Sequence, residues 1–349
     1  MSLKKYWWLF IIAAPAAALA GVCAIFYYKL NVWTYGGPDT IFEIAPGEGF
    51  SRINAKLDNK DLISSAKVFH RYSQLTGQMT KFKSGRFLIK SGSTTASIID
   101  TLINGKTITA PATIPEGKNL FEIAAILKNA KIIKNKKRFI QLAKSQSLAA
   151  QLGIPGERLE GYLYPDTYQF TPGSDEKLVL KTMVRTFNTQ VKALPFTNAP
   201  LELNRHEVII LASVVEKETG ASFERPMIAG VFINRLKKRM RLQSDPTTIY
   251  GIYENFNGNL RKRHLLEKTP YNTYKIPALP AGPISNPGLK SIMAVLKPAK
   301  HDYLYFVSKN DGTHVFTKTY RDHRQAVDSY QKNSRARRGK SWRDLKKNK

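Results

Sequence analysis

One cysteine, Cys23, occurs among 349 residues. No disulfide can form within the chain, which excludes a disulfide framework and a thiolate metal cluster. Acidic residues are also scarce: 26 Asp and Glu stand against 55 Lys and Arg, a formal charge of +29. That imbalance is extreme for a metabolic enzyme and predicts an acidic partner, whether nucleic acid, anionic lipid or a carboxylate-bearing polymer. The six histidines (His70, His206, His264, His301, His314, His323) lack HExxH or any other ligand spacing, so no metal and no cofactor is expected. Nor is there a phosphate-binding glycine loop, since "GGP" at 36–38 and "PAGP" at 280–283 lack the required context.

What the chain does have begins at its N-terminus. "MSLKKYWWLFIIAAPAAALAGVCAIFYYKL" carries two lysines and then 23 residues, Tyr6 to Tyr28, without a charge. As a helix this stretch reaches about 35 Å, enough to cross a hydrocarbon core of ~30 Å with some tilt. Trp7, Trp8, Tyr27 and Tyr28 sit at its two ends, where amphipathic aromatics prefer the interface. Lys4 and Lys5 favour a cytoplasmic N-terminus, which exports everything after Lys29. "ALA" at 18–20 resembles a signal-peptidase site, but the apolar run continues for eight more residues, as in an uncleaved anchor. Val22 before Cys23 is too bulky for a lipoprotein site, and Pro15 is tolerable inside a membrane helix.

The length allows two domains, and 42% hydrophobic content is enough for real cores. The expected fold class is α+β, in five stretches: a cytoplasmic end (1–5), a transmembrane anchor (6–28), a stalk and small subdomain (29–110), a larger α+β domain (111–332) and a basic tail (333–349). The tail holds eight Lys or Arg against Asp344 alone and reads as a solvated, disordered arm. "IFEIAPGEGFSRINAKL", "RFLIKSGSTTASIIDTL" and "ATIPEGKNLFEIAAIL" each read as strand, glycine turn and amphipathic helix, with Gly47, Gly92 or Gly117 in the turn. Irregular spacing makes this reuse of a unit, not a solenoid. Such modules outside a bacterial membrane resemble the LysM class of glycan-binding modules, the first copy most closely.

In the larger domain, "LEGYLYPDTYQFTPG" (159–173) reads as loop and short strand. Asn204 to Gly220 is the clearest helix, with Asn204 and Glu207 as a capping box and Gly220 as the terminating glycine. A second helix is expected around Glu224–Lys238. "RLQSDPTTIYG", "TPYNTYKIPALPAGPISNPG" and "LKPAKHDYLYFVSKNDGTHVF" read as loops, the last with a hairpin signal around "KNDG".

The first of these helices ends in "VVEKETG". At about 100° per residue its two glutamates project to different faces. Val208, Leu211, Ala212 and Val215 define the apolar stripe, Glu218 follows its edge, and Glu216 and Lys217 fall toward solvent. Glu218 is then the carboxyl to be partly desolvated, and desolvation raises its pKa into the range a general acid requires. The bland alternative is a charged helix end pairing locally with Arg225 or Lys217.

"ASVVEKETG", "GVFINRLKKRMRLQSDPTTIYG", "PYNTY", "LPAGPISNPG" and "EGYLYPDTY" resemble, in order, the motifs of the endolytic murein transglycosylases (MltG, YceG-like). The likeness runs from the anchor to about residue 330. It implies a membrane anchor, a LysM-like subdomain and an extracytoplasmic domain that cleaves peptidoglycan strands, with the catalytic glutamate at Glu218. It also implies peptidoglycan synthases as partners and a bacterial inner-membrane location. Ala281 stands where relatives often carry a second proline, and the tail looks like an extension. Gln243, Ser244, Asp245, Thr247, Tyr271, Asn272 and Tyr274 are candidates for walls and donors of the cleft, with Asp166 and Tyr168 as weaker ones. Each could equally hold a turn or an aromatic cluster.

Two other readings compete. A non-catalytic glycan-binding scaffold would use the same anchor and small subdomain but leave Glu218 unexplained. A membrane-tethered nucleic-acid binder would use the charge, yet no nucleic-acid fold motif is present. A hydrolase using Asp245 as second carboxylate is the chemical alternative.

Overall fold

A computed structural model describes residues 7–332, with side chains from Ile12 onward. The cytoplasmic end 1–5, the basic tail 333–349 and the side chains of Trp7 and Trp8 lie outside the described residues. The chain divides into two compact units, 1–110 and 111–349, of mixed helix and short strand.

In the first unit, helix α1 (Trp7–Tyr27) runs on through a wider turn at Tyr28–Val32. Every side chain from Ile12 to Ile25 is exposed, and Ile12–Val32 is long and apolar enough to cross a membrane. The helical run continues past Tyr28, the last residue of the uncharged stretch, and Leu30 within that continuation is buried in the core of this unit.

Strand β1 (Thr40–Ile44) pairs antiparallel with β2 (Gly85–Ile89). Phe42 lies opposite Phe87 and both are fully buried. Helices α2 (Phe50–Asp58), α3 (Ala66–Leu75) and α4 (Thr95–Asn104) cover these rings with Ile53, Leu57, Phe69, Ile98 and Leu102.

Strand β3 (Ala110–Thr113), whose first residue ends the first unit, leads into the second and pairs with β4 (Thr167–Phe170). Helices α5 (Leu120–Asn129), α6 (Lys136–Ala143), α7 (Gln146–Gln151) and α8 (Glu176–Val191) form one helical layer. The other is built on α9 (Arg205–Glu218), which packs with α10 (Arg225–Lys237) and α13 (Leu289–Leu296). Short helices α11 (Asp245–Gly251) and α12 (Lys262–Leu266) precede α13. A hairpin of β5 (Tyr305–Ser308) and β6 (His314–Thr317) and helix α14 (Tyr320–Val327) follow it.

All three strand–turn–helix copies form, as β1–α2, β2–α4 and β3–α5. Gly47, Gly92 and Gly117 take φ of +76°, +77° and +74° in their turns, a conformation that a Cβ would strain. The third copy belongs to the second unit. Two local expectations fail. Residues 245–251 are helical, with Pro246 in the first turn where its missing N–H is harmless. Helix α9 stops not on a left-handed glycine but on Thr219 in extended backbone (φ −139°, ψ 139°), whose hydroxyl accepts the Ala221 N–H at 2.9 Å.

Candidate active site

The capping box starts α9 as its sequence requires: Asn204 Oδ1 accepts the Glu207 N–H at 3.0 Å and Glu207 returns the bond at 2.8 Å. From Val208 to Glu216 every residue is buried, so the helix has no solvent face along that length. Glu216 therefore departs from expectation. Its carboxylate accepts from the buried Arg225 Nη2 at 2.7 Å and from the Gly288 N–H at 3.0 Å. The helix is wrapped on both sides, by α10 and by α13, and the face that periodicity assigned to solvent is a second packed face. Of the sequence "EKE", only Lys217 points outward, with its Nζ donating to the Gly117 carbonyl at 3.2 Å.

Glu218 is half-buried and borders a cleft of about 330 Å³. Burial pushes its carboxyl up to about 7, and the negative charge of Asp245 acts in the same direction. A donated bond from Ser244 and the charge of Arg235 oppose the shift. Its place as the last residue of α9 adds to it, because the C-terminal end of a helix dipole disfavours a carboxylate.

Ser244 stands at the N-cap of α11 yet caps nothing with its side chain. Its Oγ instead donates to Glu218 Oε1 at 2.5 Å. The Ser244 backbone is gripped from behind: its N–H donates to Thr273 Oγ1 at 3.0 Å, and its carbonyl accepts from Thr247 Oγ1 at 2.6 Å. Asp245 Oδ1 accepts from the Tyr274 hydroxyl at 2.7 Å. Gln243 borders the cleft with φ of +51°, a left-handed conformation that reaims the chain just before Ser244.

Four of the expected site residues thus line the cleft (Glu218, Gln243, Asp245 and Tyr274), and Ser244 touches the acid directly. Thr247 and Asn272 are fully buried one layer behind. Asn272 Nδ2 donates to the carbonyls of His264, Leu265 and Glu267, and its Oδ1 accepts from Thr248. Tyr271 packs edge-on against Tyr250 with ring centroids 4.8 Å apart. Asp166 and Tyr168 sit at β4: the Asp166 carbonyl accepts the Ile114 N–H, and the Tyr168 hydroxyl donates to the Tyr164 carbonyl. None of these five borders the cleft.

Residues that the sequence did not single out complete the walls. Arg235 is buried, its Nε donating to the Leu304 carbonyl at 2.6 Å and its Nη1 to the Leu242 carbonyl at 2.8 Å, with Tyr305 stacked 5.2 Å from the guanidinium. Tyr305 and Phe306 come from β5, and Tyr320 and His323 from α14. His323 stacks on Tyr305 at 5.2 Å, and burial and the Arg235 charge depress its pKa. The one usable signal for this wall was the "KNDG" hairpin, which forms as expected but does not reveal what its strands face.

A second glutamate, Glu160, is also pushed up to about 7 by burial. It is fully enclosed and committed to three donors: the Leu120 N–H, the Tyr250 hydroxyl and Asn286 Nδ2. Two glutamates with similar acidity therefore differ in access. Among the described glutamates, Glu218 is the one that pairs a raised pKa with an open cleft.

The fold and cleft define an α+β unit presenting a glutamate of raised pKa at a helix end, on an open cleft. The chain belongs to the YceG-like family, which matches residues 42–329. It is 34% identical over 303 residues to an endolytic murein transglycosylase of Bacillus subtilis (strain 168), covering 82% of this chain and 83% of that one. An endolytic murein transglycosylase of Streptococcus pneumoniae (strain D39) is 28% identical over 319 residues, 81% of this chain. The match spans 57% of that longer relative. The crystal structure of a yceG-like protein from Listeria monocytogenes superimposes with a TM-score of 0.57 at 31% identity, covering 82% of this chain and 98% of the other.

Proposed function

We propose that the chain is a membrane-anchored lytic transglycosylase that cuts peptidoglycan glycan strands internally, between N-acetylmuramic acid and N-acetylglucosamine. The observation that carries this reading is Glu218: a carboxyl held near 7 at the rim of an open cleft, half protonated at neutral pH and able to give and take a proton. The names of the B. subtilis and S. pneumoniae relatives point to the same substrate.

Glu218 gives its proton to the glycosidic oxygen as the bond from the muramic C1 breaks. The muramic 6-hydroxyl then attacks C1, its proton passes to the Glu218 carboxylate, and a 1,6-anhydro ring closes. No water enters and the acid is regenerated. One carboxyl suffices because the nucleophile is tethered, and well-oriented intramolecular groups reach effective molarities of ~10⁵ M or more. Ser244 steadies the carboxylate between the two transfers. Arg235, Tyr274 and Tyr305 supply charge and aromatic surface around the sugar. Thr247 and Asn272 hold the Ser244 segment in place.

The apolar helix Ile12–Val32 anchors the protein, with lysines Lys4 and Lys5 on the cytoplasmic side and both folded units outside the inner membrane. The first unit acts as a LysM-type glycan-binding module. An enzyme held there meets newly made strands, limits their length and works beside peptidoglycan synthases. The excess of basic residues suits anionic lipid and carboxylate-bearing wall polymer better than nucleic acid.

Purified peptidoglycan digested with the full chain in detergent, analysed by mass spectrometry, tests the reading. Anhydro-muramic ends that disappear with Glu218→Gln and persist with Asp245→Asn are the expected result. Hydrated reducing ends would instead make Asp245 the second carboxylate of a hydrolase, and glycan binding without any cleavage would leave a scaffold.

A further inference from the structure

A second concavity, of about 700 Å³, lies on the same unit as the cleft and contains none of its residues. Its floor is Ala125 and Ile126 of α5 and Ile140 of α6, all half-buried. At one side Phe121 and Tyr253 stack face to face, ring centroids 4.8 Å apart and 14° from parallel. The charges around it are not balanced. Lys118 is paired with Glu122 and Lys144 with Glu254. Lys136 and Lys137, both exposed, make no ion pair among the described residues. An apolar floor beside two unspent cations suits a ligand that offers small apolar groups and carboxylates together.

The groove is also held at a set distance from Glu218. Helix α11 starts at the cleft with Asp245, and Tyr253 follows its far end by two residues. Seven helical residues span about 10 Å. The buried Glu160 carboxylate accepts both from Tyr250 on α11 and from Leu120, the first residue of α5. It therefore clamps the helix bearing the groove to the helix bearing the cleft.

We propose that this groove is a second binding site, taking the acidic, alanine-rich stem peptide carried by a muramic acid seated at the cleft, an inference that rests on the activity proposed above. Alanyl methyl groups would lie on Ala125, Ile126 and Ile140, and the peptide carboxylates would meet Lys136 and Lys137. Four or five extended residues span roughly 13–18 Å, longer than the about 10 Å of α11, the helix that leads from Asp245 at the cleft toward Tyr253 at the side of the groove. The site makes the enzyme select strands that still carry their peptides.

The test compares strands bearing stem peptides with the same strands stripped of them by an amidase, using the full chain and its Lys136→Glu/Lys137→Glu variant. The variant should raise KM about 5-fold or more on peptide-bearing strands while leaving kcat, and both constants on stripped strands, unchanged. An equal change on both substrates, or on neither, overturns the proposal. In a second arm, the full chain carrying Glu218→Gln binds a soluble disaccharide-tetrapeptide, measured by calorimetry. Adding the lysine pair should weaken that binding about 5-fold, and Ile140→Asp should do the same by removing the apolar floor. Unchanged binding in both overturns the site. This arm reads the groove even if the wild-type chain forms no anhydro ends, an outcome that would refute the activity and not the groove.

Discussion

Glu218 is a destabilising residue that the fold tolerates. Its carboxyl is raised from 4.5 to about 7, so the folded state binds this proton more tightly than the unfolded chain does. Its contribution to stability is complete below about 4.5 and is lost as pH rises through about 7. Glu218→Gln should abolish most activity, by about 10²–10⁴-fold, while leaving the melting temperature at pH 8 equal or higher. A melting temperature several degrees lower would show that the carboxylate stabilises the fold and does not strain it. Ser244 acts on the same group in the opposite sense, because its donated bond favours the ionised form. Ser244→Ala should therefore move the alkaline limb of the kcat–pH profile upward, while the cleft keeps its shape because the Ser244 backbone is held by Thr273 and Thr247.

At the scale of elements, α9 is fastened at both ends by different means. Its start is the Asn204–Glu207 box, worth about 1 kcal/mol. Its other end is fastened by Glu216, whose side chain and that of Arg225 are only 4% and 8% exposed. Removing one partner of such a pair leaves a buried charge, at a cost of roughly 3–5 kcal/mol. Arg225→Ala should lower the unfolding free energy from urea titration by that amount and should misplace Glu218, two residues on. Replacing both partners, with Arg225→Met and Glu216→Leu, should recover most of the loss; no recovery would mean that the Gly288 contact matters more than the ion pair. The hairpin and α14 form the other wall of the cleft. Tyr305, Tyr320 and His323 all lie beyond residue 304, so a chain ending there should keep α9 and lose turnover.

For the whole molecule, the end of the apolar helix and the core of the first unit share residues. Leu30 is 5% exposed and belongs to the core of the first unit, and Ser64 Oγ donates to the Lys29 carbonyl at 2.6 Å. A soluble chain that begins at Tyr28 should therefore melt higher than one that begins at Trp33. The loss of a buried leucine alone is worth about 2–5 kcal/mol. Equal melting would show that the turn Tyr28–Val32 belongs to the anchor only. Glu160 extends the pH argument to the fold as a whole, since it too is raised from 4.5 to about 7. With Glu218 it predicts unfolding free energy that declines as pH rises across that interval, measurable by urea titration at pH 5 and pH 8.

What the sequence determined by itself is local. The uncharged stretch after Lys5, the Asn204 capping box, the glycines 47, 92 and 117 and the "KNDG" hairpin each depend on residues within a few positions of one another. Short-range sterics and hydrogen bonding decide them. Glu218 was legible because one helical face, continued from Val215, leads to it, and because longer motifs resembled those of a family. The rest was decided by contacts between distant segments. Glu216 turned inward because α9 is packed on two faces, which a single-face periodicity argument does not register. Thr247 and Asn272 took scaffold positions, although they share stretches with Ser244 and Tyr274, because partners from other segments hold them: Thr273 for Thr247, and Thr248 with the carbonyls of His264, Leu265 and Glu267 for Asn272. Arg235, Tyr305 and His323 meet Glu218 only when α10, the hairpin and α14 fold over it, and no spacing in the chain encodes that meeting. The raised pKa is of the same kind: it depends on which groups exclude water around a carboxyl, and that is settled by tertiary packing.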